Sequence, residues 1–99
     1  MRKDISIEQQ AVQSTHAAIE ATRHLIPPQI EHPHVIICEV SNEEKLKKQT
    51  SYLSSLGIKY KPFYEVDIGN QITAIATEPI YGEDRRHFKK YNLLKVSLP

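Results

Sequence analysis

A helical period that runs into a proline pair is the strongest constraint on what this chain can fold into. Ala11, Val12, Thr15, Ala18, Ile19, Thr22, Leu25 and Ile26 recur at helical spacing, which lines them up as one narrow apolar stripe. Pro27 and Pro28 end it, since a proline brings no amide and its ring collides with the preceding turn. Ser6, followed three residues later by Gln9, has the form of a capping box, with Asp4 as a competing cap upstream. A helix over roughly residues 6 to 26 follows from these signals.

Pro27, Pro28 and Pro33 make the next stretch a connector. Val35 to Val40 is short, apolar and β-branched, the pattern of a buried strand with Cys38 inside the fold. Ser41 with Glu44 forms a second capping box, and Leu46, Thr50, Leu53 and Leu56 give the following helix an apolar edge that Gly57 ends as a left-handed cap. Ile58 to Glu65 reads as extended, with Pro62 restricting it to a sheet edge or a bulge. Val66 to Gln71 is a turn, and Ile72 to Thr77 the second arm of an antiparallel hairpin. A short charged helix follows Gly82, and Leu93, Leu94 and Val96 are placed to return to the sheet. This order implies an α/β fold in one domain: a small mixed β-sheet of three to four strands covered by helices.

A chain of 99 residues supports one core. A net charge of +1 excludes strong global attraction to nucleic acid, so contact with RNA has to come from a local patch. No apolar run approaches the roughly 18 residues of a membrane span, and Arg2, Lys3 and Asp4 do not open a signal peptide. The lone Cys38 fits a reducing cytosol, so the expected location is cytoplasmic. Its apolar setting also argues against a nucleophilic thiolate. His24, His32 and His34 match no zinc-ligand spacing, and no metal or other cofactor is expected.

Two segments together carry a resemblance: Gln13-Ser14-Thr15-His16-Ala17 in the first helix, and Thr73-Ala74-Ile75-Ala76 leading to Pro79 in the last strand. With Val35 to Val40, the helix start at Asn42 to Lys45 and Leu56-Gly57-Ile58 between them, nearly the whole chain resembles the archaeal/eukaryotic-type peptidyl-tRNA hydrolases. The resemblance implies that family's fold and, as activity, hydrolysis of the ester of peptidyl-tRNA. It implies Asp67 and Thr73 as catalytic partners of His16. The family's strand before the first helix and its Gly-Lys pair are missing here. Aligned without gaps, Gln9 stands where the family has its lysine, and Lys3 is the substitute cation the sequence offers. The missing strand leaves a sheet slot whose backbone groups need partners, for which self-association into a homo-oligomer is the simplest remedy.

In the hydrolase reading, His16 accepts a proton from water, with Glu20 one turn on along the helix. Asp67 positions that water and Thr73 donates to the substrate carbonyl or phosphate. Lys3, Gln9, Gln13, Glu65 and Asn70 supply the surrounding polar groups. Each has a plain structural alternative: a partly buried histidine, or the Asp, Gly and Asn that a tight turn selects. Arg85, Arg86, His87, Lys89 and Lys90, interleaved with Phe88 and Tyr91, form a dense basic cluster fit to neutralise phosphates, or simply a solvated helix face. Two other functions stay open: a module that binds a nucleotide or tRNA end without cutting it, and an oligomeric structural protein.

Overall fold

The computed structural model describes residues 1–30 and 35–93, and so leaves the expectations for His32, His34, Leu94 and Val96 outside the described residues. It is a small α/β fold. Helix α1 spans Ile7–His24 and α2 Glu43–Ser55; strands β1 (Cys38–Glu39), β2 (Tyr60–Glu65), β3 (Gln71–Thr77) and β4 (Asn92–Leu93) complete the regular elements, with short 3-10 turns at Val66–Ile68 and Gly82–Phe88. The short charged helix expected after Gly82 is present, with 3-10 geometry over Gly82–Phe88.

The strands form two antiparallel pairs, β1 with β4 and β2 with β3. Between them run the first three residues. The Arg2 amide donates to the Thr73 carbonyl (3.1 Å), the Lys3 amide to that of Val40 (2.8 Å), and the Val40 amide to that of Met1 (2.9 Å). Arg2 and Val40 thus form a parallel bridge. The slot expected to stand open for want of a first strand is filled from within the chain, which removes the physical reason given above for self-association.

Ser6 caps α1 by accepting from the Gln9 amide at 3.1 Å. The cap of α2 is Asn42, whose Oδ1 accepts from the Lys45 amide at 3.0 Å, and not Ser41; an Asn one residue nearer the helix satisfies the same free donor. Gly57, with φ 72°, closes α2 as expected: its amide reaches Ser54 O and that of Ile58 reaches Leu53 O. Leu46 and Leu53 are the fully buried side chains of α2, which packs on β3. Pro62 sits in β2, which pairs only with β3 among the described strands, so its missing donor costs no ladder bond there.

Two expectations about burial fail. The face that α1 turns inward is Gln13, Ala17 and Ala21, while Val12 and Ile19 of the predicted stripe are 49% and 43% exposed. Small residues win because they let the helix axis approach the β2–β3 pair: Ala17 packs on Met1 and Ala74, with Phe63 and Ala76 around them. The buried strand expected over 35–40 shortens to Cys38–Glu39 plus the Val40 bridge, and Val35 and Ile36 are exposed. Cys38 is only half-buried, and burial still pushes its thiol pKa up.

These placements predict an inversion of the usual ranking of helix substitutions. Val12→Ser and Ile19→Ser shift the urea midpoint by the equivalent of about 0.5 kcal/mol or less, whereas Ala17→Leu overpacks the contact with Ala74 and costs about 2 kcal/mol.

Candidate functional site

The polar centre of the molecule lies where α1 crosses β2 and β3. A register shift between Phe63 and Tyr64 creates it: Phe63 faces Ala74 and Tyr64 faces Ile72, so Thr73 is the extra residue of a β-bulge. Ile72, Thr73 and Ala74 are all buried in succession, in a strand that packs against both α1 and α2.

Gln13, 1% exposed, comes down from α1 onto this bulge. Its amide nitrogen donates to Glu65 Oε2 at 2.6 Å and to Gln9 Oε1 at 2.8 Å. Its oxygen accepts from the Thr73 hydroxyl at 3.4 Å, and that hydroxyl lies equally far from the Phe63 carbonyl. Both amide hydrogens and the carbonyl of Gln13 are therefore in use, the condition a buried amide must meet. Glu65 is bound on its other oxygen by the Asp67 amide at 3.1 Å. The Asp67 amide first and the Gln13 side chain second hold its carboxyl below the usual carboxylate range, with His16 a smaller contributor.

His16 lies one turn after Gln13 with its side chain at the surface, stacked on Phe63 with ring centroids 4.6 Å apart and planes 8° from parallel. A flat ring at solvent thus stands over an aromatic floor beside an ionised carboxylate. Glu20, the carboxylate expected to orient His16, contacts Arg23 and His24 instead.

Of the three expected catalytic groups, the structure does not join all. Thr73 is 0% exposed, with its hydroxyl committed to Gln13 and Phe63. Asp67 has an exposed side chain, and no hydrogen bond joins its carboxylate to His16 or Thr73 among the described residues. Its contribution is the backbone N–H given to Glu65. Glu65 stands where the sequence reading put Asp67: two acids two residues apart in a turn have different directions, and the 3-10 geometry of Val66–Ile68 turns Glu65 inward as its cap. Asn70 has φ 59° next to Gly69 at φ 76°, a pair of left-handed residues that reverses the chain.

The ammonium of Lys3, the substitute cation the sequence offers, is half-exposed and faces Glu39 at 3.9 Å. Arg2, outside the predicted set, is the cation built into the fold. It is 7% exposed, donates to both oxygens of Asp4 (2.9 and 2.8 Å) and reaches Gln71 Oε1 (2.8 Å) and the Ile72 carbonyl (3.3 Å). The signal for it was present in Arg2-Lys3-Asp4, but its partners Gln71 and Ile72 lie about seventy residues away. Arg85 and Arg86 are exposed on the 3-10 turn, and Arg86 pairs with Glu83 at 3.6 Å.

The hydrogen bond from Arg2 is the first cause that holds the Asp4 carboxyl low, as the Asp67 amide does for Glu65. A group depressed in the folded state adds stability that is complete above its ordinary value and is lost as the pH falls through the folded value. Acid therefore weakens the fold from the ordinary carboxylate range downward. Asp4→Asn is expected to flatten that limb, read as a smaller loss of urea midpoint between neutral pH and about pH 3 than in the parent chain.

A cleft of about 1020 Å³ is lined by Ser14, Ala18, Thr22, Ile36, Ile80 and Phe88 among others, with none of His16, Glu65, Asp67 or Thr73 in its walls. The polar side chains that meet one another are thus outside this cleft. No helix among the described residues is long and apolar enough to cross a membrane. Comparison of the chain with protein-family models, with curated proteins and with solved structures finds no match.

Proposed function

We propose that the chain is a peptidyl-tRNA hydrolase-like protein that holds the end of a tRNA, or a nucleotide resembling it, without cutting the ester. The single observation behind this reading is the sealing of Thr73: a hydroxyl at 0% exposure, spent on Gln13 and Phe63, has no proton to offer a substrate carbonyl. Gln9 at the position of the family's lysine supports the same conclusion, because a neutral amide stabilises a developing oxyanion far less than an ammonium. What stays available is recognition. The exposed His16 ring offers a stacking surface for a base, and the Glu65 carboxylate an acceptor for base amino or ribose hydroxyl groups.

Hydrolysis is the second reading, favoured by one observation: the His16 ring lies at the surface, where an imidazole can accept a proton from water. Binding separates these from a structural role. Fluorescence anisotropy with a single-stranded oligonucleotide ending in CCA and carrying a non-hydrolysable 3′-aminoacyl amide should show saturable binding that His16→Ala weakens about tenfold, the scale of one lost stacking contact. No binding at any protein concentration would remove both RNA readings.

A further inference from the structure

We propose that α2 and the segment 82–91 together form a composite cationic face that takes the phosphate backbone of double-stranded RNA, at a place separate from the His16 surface. This rests on the tRNA reading above for its biological partner, though not for its geometry.

Two basic runs lie about forty residues apart in the chain, Lys45-Leu46-Lys47-Lys48 on α2 and Arg85 to Lys90 after β3. Side-chain contacts place them side by side. The Lys90 ammonium stands 3.3 Å from the centre of the Tyr52 ring, His87 meets the same ring edge-on at 6.4 Å, and the Tyr91 hydroxyl is hydrogen-bonded to Gln49. Burial pushes that hydroxyl's pKa up to about 12, so it stays a neutral donor to Gln49. Phe88 against Tyr91, at 5.9 Å, stiffens the segment from within.

Helical spacing then sets the neighbours. Lys48 is one turn before Tyr52, and Lys45 one turn before Gln49, whose side chain donates to the Lys45 carbonyl. Lys45 and Lys48 therefore share the ridge on which Lys90 and Tyr91 are docked. Among the described residues, Lys47 is paired with Glu43 at 3.7 Å and Arg86 with Glu83 at 3.6 Å, whereas Lys45, Lys48, Arg85 and Lys89 are exposed and stand in no ion pair. Glu44 and Asp84 are the acids of these two segments in the same condition, which leaves cations in excess.

Holding like charges together costs free energy unless an anion is shared between them. A duplex backbone, with charges repeated along a rigid path, matches cations fixed on a helix and a braced turn better than a single free phosphate does. The net charge of +1 hides this face, because acidic residues elsewhere balance it.

The test uses the full chain and a short blunt-ended RNA duplex with no CCA end, so that its outcome is independent of the His16 surface. Anisotropy across a salt series should show binding whose logarithm falls with log salt at a slope of about −3.6, as expected for four contacts on a duplex. Changing Lys45, Lys48, Arg85 and Lys89 together to Gln should remove most of that slope and weaken binding at least about tenfold at low salt, with unaltered near-ultraviolet circular dichroism. If that variant does not fold, Lys45→Gln with Lys48→Gln, both on an exposed helix face, should lose about half the slope. Duplex binding absent from the parent chain, or equal in parent and folded variants, overturns the proposal, as does tighter binding to phosphatidylserine vesicles than to the duplex. Loss of CCA-end binding with duplex binding intact would sink the preceding reading and leave this one standing.

Discussion

Gln13→Ala is expected to destabilise the fold by about 3 kcal/mol, measured as the loss in urea-unfolding free energy at neutral pH. Gln13 is the polar side chain through which α1 is fastened to the bulge, and it has no solvent to fall back on. Truncation removes its bonds to Gln9, Glu65 and Thr73 together and leaves a cavity against β3. Gln13→Leu fills the space but not the bonds, and should cost less, about 1 to 2 kcal/mol. A Leu variant as stable as the parent would mean that the network contributes nothing and only the volume matters.

The second large effect lies on the opposite side of the hairpin. Leu53→Ala deletes a side chain that is 2% exposed where α2 meets β3, at a cost of about 3 to 4 kcal/mol. Leu46→Ala is its equal in burial and in expected cost. A domain of this size has about 5 to 15 kcal/mol in hand, so either change takes a large fraction of it. The double variant is expected not to fold.

Features with local causes were legible in the sequence. The Ser6 cap, the Gly57 cap, the edge position of Pro62 and the hairpin arm ending at Thr77 each depend on a few neighbouring residues. The inward face of α1 was not legible, because apolar size points to Val12 and Ile19 while close approach to β3 selects Ala17, Ala21 and one amide-bearing Gln13. Nor was the role of Met1 to Lys3, whose hydrogen-bond partners at Cys38, Val40 and Thr73 are remote in sequence.

The candidate site divides in the same way. His16 and Gln13 come from the resemblance, and the structure puts them one turn apart beside the hairpin. The exchange of Asp67 for Glu65 turns on the bulge at Thr73 and the 3-10 turn after it, neither of which alternation of residue types announces. That bulge also bears on where Thr73 points: with β3 running straight, its side chain and that of Ala74 would lie on opposite faces.

Single-turnover release is the most direct measurement of the central claim, that this surface holds an RNA end without cutting it. A folded chain in excess over labelled N-acetyl-aminoacyl-tRNA is predicted to bind the label and to release the acyl group no faster than buffer alone. Release accelerated by the parent chain and abolished by His16→Ala would contradict it, and would mean that Thr73 can be uncovered or is not needed for the chemistry.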